Sequence, residues 1–456
     1  MPHTLGELQA QVSRPARATN LKRPARATSL KRPARATSLD EAPRRRRRFS
    51  DFVTAGGSAR TRVGRVRFRG NARGGLGCWA HPPRKGHSVS GNDLYAAAGV
   101  DTRAGDTAVE LMKRAVQATH GPEVLGGVGG FAGLFDASRL TSFTKPILAT
   151  STDGVGTKVA IAQAIDKHDT IGQDLVAMVV DDIIVVGAEP LFMTDYIACG
   201  RVVPERIASI VEGIAKACAE TGTALTGGET AEHPGLLGPD DYDVAGAAVG
   251  VVEADRMLGP ERVQHGDVVI SIASSGLHSN GYSLVRRIVA DQGLSFTDTS
   301  AELGGVVGEV LLEPTRLYTG PLVKLLAEPA LDGAVHAFSH VTGGGIAANL
   351  ARVLPQGAWI ELDRGAWSPN DIFRVLAGFA GTDLESTEGT WNLGIGMFAV
   401  VDAQRASVVV EWLEAAGLPS WVAGTISTET RDFAGFEQGA KGVDGGAVRL
   451  VGSYAG

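Results

Sequence analysis

Residues 149–158, ATSTDGVGTK, run a short apolar strand into a turn punctuated by glycine. A strand is expected over residues 147–151, and the turn that follows carries Asp153 and Lys158. That combination suits a polyphosphate. A carboxylate holds Mg²⁺, glycines let the backbone approach phosphate oxygens, and an ammonium group offsets their charge. Alone the string is ambiguous, because D-G turns with a nearby lysine are common. Its companions downstream decide how it is read.

The net charge of −6 hides a break in composition. Residues 1–91 hold 21 Lys and Arg against 4 Asp and Glu, whereas residues 92–456 hold 23 against 46. The basic segment contains a tandem nonapeptide, RPARATNLK (14–22), RPARATSLK (23–31) and RPARATSLD (32–40), followed by the run Arg44–Arg48. It has few large apolar residues and no sustained period of 3.6 or 2, so nothing offsets the entropy of ordering it. Residues 1–91 are expected to be a disordered extension. Such a tail can bind nucleic acid or acidic membrane, and its Arg-rich, acid-poor start also resembles a transit peptide. The preferred expectation is that it is not translated in the cell, with Val89 as an alternative initiator. An intact native peptide spanning residues 14–40, found by mass spectrometry, would refute that. No run of about 18 apolar residues occurs, so no membrane span is expected. Three cysteines (Cys78, Cys199 and Cys218) form no disulfide framework and fit a reducing cytoplasm.

Beyond residue 91, helical patterns and strand candidates alternate. A helix is predicted over 106–119, with Thr107 and Glu110 as a capping box. Another is predicted over 204–221, with Pro204 at its start and Gly222 at its stop. Strands are predicted at 147–151, 244–252, 268–273 and 397–401. The alternation indicates an α/β or α+β chain. The loop GPERVQHGD (259–267) divides it into lobes of about 92–258 and 259–452.

Four more glycine-dense loops follow the same logic: GGVGGFAG (126–133), GGETAEHPG (227–235), SSGLHSNGYS (274–283) and HVTGGGIAANL (340–350). Each alone reads as ordinary turn glycine; several in one chain favour a ligand with several phosphates. The last two open helices beside hydroxyls and a histidine, which suits an anion. Asp181 and Asp182 interrupt an apolar helix, AMVVDDIIVV. Burying an unpaired carboxylate costs several kcal/mol, so at least one is expected to meet a cation or strong donors. Metal coordination alongside Asp153, with Glu229 as a third donor, is one reading; a capped or solvent-facing pair is the other. His278 and His340 are candidates for proton transfer, although a lone histidine is more often structural. Lys113, on a helix, would ordinarily be a solvated surface lysine.

Taken together the strings closely resemble the phosphoribosylformylglycinamidine cyclo-ligase, or aminoimidazole ribonucleotide (AIR) synthetase, family. The matching segments include AGVD (98–101), PEVLGGVGGF (122–131), TDGVGTK (152–158), HDTIGQDLVAM (168–178), GAEPLF (187–192), GGETAE (227–232), SSGLHSNGYSLVR (274–286), HVTGGG (340–345) and NLGIGM (392–397). The resemblance implies a two-lobed α+β fold in a cytoplasmic homodimer, its N-terminal lobes pairing into a shared β-barrel, with a C-terminal α/β lobe. It implies ATP-dependent ring closure of formylglycinamidine ribonucleotide through an O-phosphorylated imidate, with ATP and Mg²⁺ required. Mg²⁺ would sit on Asp153, Asp182 and Glu229. Nucleotide contacts would come from Gly126, Gly127, Gly129, Gly130, Phe131, Thr152, Gly154, Gly156, Thr157, Lys158 and Lys113. Ser275, Ser279, Asn280, His340, Gly343 and Gly344 would hold the substrate. Catalytic roles would fall to His278, Asp182 and Lys158. No membrane partner is implied, and a nucleic-acid partner is disfavoured.

The chain departs from the family pattern in places. Ala96 and Ala97 replace a usual Lys-Asp, Asp181 stands where Asn is usual, and His233 replaces a usual Met. Formylglycinamidine ribonucleotide synthetase, selenophosphate synthetase and thiamine-monophosphate kinase share the implied architecture. Residues 92–131 lack the cysteine expected of a selenophosphate synthetase, and no glutaminase motif is present.

Overall fold

The structure, a computed structural model, describes residues 100–439 and 441–454, all within one compact unit. The basic extension and Ala96 and Ala97 lie outside the described residues.

Helix α1 (Thr102–Ala118) begins four residues before its expected start. Asp101, not Thr107, is the N-cap, its carboxylate accepting from the backbone N–H groups of Arg103 and Ala104 at 3.0 and 3.2 Å. Thr107 instead donates its hydroxyl to the Arg103 carbonyl, so the expected capping box does not form.

The first lobe continues with β1 (Pro146–Gly154), α2 (Val159–Ile165), α3 (Ile171–Val185), β2 (Glu189–Cys199), α4 (Pro204–Thr221), β3 (Ala224–Glu232) and β4 (Tyr242–Glu253). Helix α4 runs between Pro204 and Gly222, and Gly222 takes the left-handed conformation that ends it. The four strands form one sheet in the order β1-β4-β2-β3, antiparallel except for the β2–β3 pair. Helices cover one face of this sheet. The other carries Leu148, Thr150 and Thr152 of β1 and Tyr196 of β2, with Leu148 and Tyr196 exposed.

Helix α3 holds the molecule together. It is apolar on nearly every side and buried, as an all-round apolar helix must be. It lies under β1 and β4, crosses α4, and packs against elements of the second lobe. At the α3–α4 crossing, a Cβ on Gly172 would come within 2.1 Å of the Ile214 nitrogen, so only glycine fits there.

The second lobe comprises β5 (Val268–Ala273), α5 (Tyr282–Asp291), α6 (Thr319–Ala327), β6 (Val335–His340), α7 (Gly345–Ala351), β7 (Trp359–Asp363), α8 (Asp371–Phe379), β8 (Ile395–Val401), α9 (Ala406–Ala415), β9 (Ser420–Thr425), β10 (Glu437–Gln438) and β11 (Ala447–Val451). Its main sheet has the order β6-β8-β5-β9, all antiparallel, and every residue of the inner strand β8 is buried. A smaller sheet, β7-β11-β10, flanks it. One hydrophobic cluster runs from α3 and α4 through α5 to β8, so the lobes share a core. The segment between β4 and β5 carries no helix or strand.

Candidate functional site

The two neighbouring carboxylates of α3 have opposite fates. Asp181 is fully buried and points into the second lobe. It accepts hydrogen bonds from the backbone N–H groups of Tyr318 and Thr319, at 3.1 and 2.8 Å, and from the Thr319 hydroxyl at 2.7 Å. It therefore anchors the N-terminus of α6. Burial pushes its pKa up to about 6, partly offset by the His340 charge and the Thr319 and Tyr318 donors. Of the two readings left open for the pair, Asp181 takes the capped one.

Asp182 is half exposed and faces a cavity of about 290 Å³ between the lobes, lined also by Thr150, Ser339, His340, Asn349 and Arg352. Its Oδ1 lies 2.9 Å from His340 Nδ1. Burial raises the Asp182 pKa, but the His340 hydrogen bond and charge, with Arg352 and Lys441, win and leave it lowered. The reciprocal holds for His340: burial lowers its pKa, and Asp182, Asp181 and Asp153 together carry it above the usual value. Asp153, at the end of β1, accepts from the Gly154 N–H at 2.7 Å. Its pKa is raised, first by desolvation and then, against that N–H, by repulsion from Asp182. Asp153, Asp182 and His340 thus form one electrostatic group.

Lys158 is not part of it. The ammonium group is fully buried, 2.9 Å from Asp174 Oδ1, and donates to the carbonyls of His278 at 3.1 Å and Glu313 at 2.6 Å. Burial lowers its pKa while Asp174 opposes the shift. With its hydrogen bonds spent inside the protein, Lys158 ties α3 to two loops of the second lobe instead of reaching a phosphate. This corrects both roles expected for it.

His278 is buried too, at a backbone φ of 60°. Its Nε2 accepts from the Ser275 N–H at 3.2 Å, and Nδ1 is buried with no hydrogen-bond partner. Burial holds its pKa well below the usual value, aided by the positive charges of His340, Lys158 and Arg316. With Nε2 spent on the Ser275 N–H and Nδ1 enclosed, His278 is not among the residues that line the cavity, so this conformation lends its expected catalytic role no support. The Tyr318 ring neighbours both it and His340, with centroids 6.1 and 6.5 Å away. The hydroxyls of Ser275 and Ser279 are likewise engaged, by the Pro314 carbonyl at 2.7 Å and by Thr315 Oγ1 at 3.2 Å. Asn280 does adjoin the glycine turn, its Oδ1 3.5 Å from where a Gly343 Cβ would stand.

The remaining expected residues are split across the sheet. Thr152 donates its hydroxyl to the Gly246 carbonyl, and Thr157 pairs with Ser283 across the lobes. Gly154 and Gly156 turn the chain from β1 towards α2. The loop containing Gly126, Gly127, Gly129, Gly130 and Phe131 is exposed and joins a short hairpin whose Gly133 packs on Thr226 of β3. Glu229 is exposed on β3 as well. Since β3 and β1 are opposite edges, about 14 Å separates them at a strand spacing of about 4.8 Å. No group of three potential metal ligands exists among the described residues. Asp153, Asp182 and Glu229 therefore do not converge within one chain. Lys113 pairs with Glu110 at 3.3 Å on an exposed stretch of α1, the ordinary surface lysine of the alternative reading.

Two positive groups escaped the sequence reading. Arg352 lines the cavity, and the charge of Lys441, on a glycine-rich loop, bears on both Asp153 and Asp182. The only clue in the sequence was Arg352's place one helix beyond HVTGGG.

Comparison with known proteins follows the same two-lobed division. Residues 136–252 match the AIR synthase related protein N-terminal domain, and residues 264–436 its C-terminal domain. The phosphoribosylformylglycinamidine cyclo-ligase of Geobacillus thermodenitrificans is 48% identical over 333 residues, covering 73% of this chain and 95% of that protein. That of Geobacillus kaustophilus is 49% identical over 334 residues, with 73% and 95% covered. Among solved structures, thiamine-monophosphate kinase from Stenotrophomonas maltophilia aligns with a TM-score of 0.51 at 19% identity, covering 76% of this chain and 97% of that one. Hydrogenase maturation protein HypE in complex with ATP aligns at 0.52 and 18%, covering 78% and 93%. At that identity these two share the fold alone. With both halves matched in order and nearly half of all aligned residues identical, the chain belongs to the AIR synthetase, or phosphoribosylformylglycinamidine cyclo-ligase, family.

Proposed function

We propose that this chain closes the imidazole ring of AIR from formylglycinamidine ribonucleotide, using ATP and releasing ADP and phosphate. The observation that carries the reading is the near-complete alignment with cyclo-ligases at 48–49% identity. The cavity lined by Asp182 and His340, with Asp153 electrostatically coupled to both, supplies chemistry to match. The formamide oxygen is a poor leaving group. Its phosphorylation gives an imidate whose carbon the neighbouring nitrogen attacks, and phosphate leaves with the oxygen. Positioning and charge neutralisation dominate such a transfer.

Two carboxylates fit Mg²⁺, which is commonly held by one or two of them plus phosphate oxygens and water. The repulsion that Asp182 exerts on Asp153 is what a cation would relieve. When bound, Mg²⁺ would neutralise triphosphate charge. Asp153 and Asp182 would hold it, and His340 fixes the Asp182 carboxylate through Nδ1. His340 lines the cavity with an unpartnered Nε2 and is placed to take the proton-handling role expected of His278.

Glu229 and the 126–131 loop reach this site only through a second copy of the chain. In that homodimer the exposed sheet faces meet in a barrel, and the β1 edge of one subunit lies beside the β3 edge of its partner. Both edges are unpaired among the described residues. A cytoplasmic location fits two free, buried cysteines and the lack of any described helix long and apolar enough to cross a membrane.

The test is an assay of the full chain with formylglycinamidine ribonucleotide, ATP and Mg²⁺, following AIR and ADP. Failure to form AIR with an otherwise folded protein would reject the activity. Asp182→Asn is expected to lower kcat by about 100-fold or more, the scale of losing one electrostatic contact to the transition state, with little change in Tm. Full turnover in that variant would remove Asp182 from the metal site.

A further inference from the structure

Arg352, which caps the C-terminus of α7, is a cation with unspent donors. Its Nη1 donates to Asn349 Oδ1 at 3.3 Å, while its Nε is buried with no hydrogen bond. It forms no ion pair among the described residues: Asp182 feels its charge but gives Oδ1 to His340. A guanidinium has five N–H donors in a planar fork, and Arg352, partly buried, spends one of them on Asn349.

Its orientation is built in. Asn349 is buried and donates its amide to the carbonyls of Thr342 at 3.0 Å and Gly345 at 2.7 Å, so its oxygen faces Arg352 and also accepts from the Thr342 hydroxyl at 3.4 Å. The glycine turn and the guanidinium are therefore coupled through one side chain. His340, also buried, spends Nδ1 on Asp182 and leaves Nε2 without a partner. Both residues line the 290 Å³ cavity, with room for a phosphoryl group and part of what carries it.

We propose that this cavity is a phosphoryl-recognition site in which Arg352, oriented by Asn349, grips the oxygens of a phosphate group on a bound nucleotide. Bidentate pairing with phosphate is what the fork of arginine supplies and a point charge does not. The identity of the ligands rests on the proposed activity, which offers two sources, the phosphate ester of the ribonucleotide and the phosphates of ATP.

Arg352→Gln and Arg352→Lys in the full-length chain test the site. Inorganic phosphate, titrated calorimetrically, is expected to bind the wild type and to bind Arg352→Gln at least about tenfold more weakly, as loss of a charged hydrogen bond predicts. In steady-state assays the KM of one substrate should rise about 10- to 100-fold with kcat held within about threefold. A rise for the ribonucleotide alone assigns its ester, and a rise for ATP alone assigns the triphosphate. Arg352→Lys should recover part of the loss. Unchanged KM values for both substrates, with phosphate binding unchanged or absent in the wild type too, overturn the proposal. Should Arg352→Gln fail to fold, Arg352→Lys decides, because it keeps the charge and loses the fork; undiminished phosphate affinity and KM would again overturn it. The phosphate titration needs no turnover, so a wild type that makes no AIR would sink the proposed activity while still testing the cavity.

Discussion

Consecutive residues on a helix leave it about 100° apart, and at Asp181 and Asp182 that angle separates two jobs. Asp181 secures α6, and Asp182 serves the cavity. The Asp181 pKa, raised from 3.8 to about 6, has a stability consequence. The folded state binds this proton more tightly than the unfolded state, so the contribution is complete below pH 3.8 and is lost as pH rises through 6. Asp181→Asn keeps an oxygen for Thr319 and cannot ionise. It should be more stable than the wild type by about 1–3 kcal/mol at pH 7.5 and lose that advantage near pH 4. Urea melts at the two pH values check this; a gap that does not change with pH contradicts the raised pKa. Lys158 poses the converse case. Lys158→Met leaves the buried Asp174 carboxylate without a counter-ion, held only by the Thr315 N–H and hydroxyl at 2.9 and 2.7 Å, and should cost about 3–5 kcal/mol. Adding Asp174→Asn to it should return much of that stability, because the uncompensated charge goes while an oxygen stays for the Thr315 donors. If Lys158→Met melts like the wild type, the ammonium is not the inter-lobe tie described above.

Among the elements, the crossing of α3 and α4 is the least forgiving. Gly172→Ala would drive a methyl group into the α4 backbone, so a loss of about 3 kcal/mol or more is expected, read as a fall in Tm. Gly378→Ala, on α8 with nothing within 4 Å of its Cβ, is the control and should change little. Elements whose boundaries are local were legible in the sequence. Helix α4 carries its own start and stop, Pro204 and Gly222, and β5 coincides with the apolar run 268–273. Elements set by distant partners were not. β1 continues past its predicted end to Gly154 because it pairs with β4 as far as Ala245, which no local pattern announces. The same holds at the site. A lysine in a glycine turn beside an aspartate reads as a phosphate ligand. Its true partners, Asp174 on α3 and the carbonyl of Glu313, lie on other elements, the second of them 155 residues away. Asp182 was legible because a carboxylate in an apolar helix demands an explanation wherever it points.

At the scale of the whole molecule, α3 makes the two lobes mechanically one, and the cavity they share is only as rigid as that helix's contacts. In the proposed homodimer the bare sheet face would meet another copy, and the acidic and glycine-rich groups divided between its two edges would be brought together across that contact. That division has a genetic corollary. If each active centre draws Asp182 from one subunit and Glu229 from the other, two alleles that are each dead should rescue one another. Dissociating Asp182→Asn and Glu229→Gln proteins, mixing them equally and letting them re-pair would place both defects in one centre of every hybrid and leave its twin intact. About a quarter of wild-type activity should return, since half the pairs are hybrids with one working centre each. Silence from the mixture, with hybrids shown to form, would mean that every centre is self-sufficient.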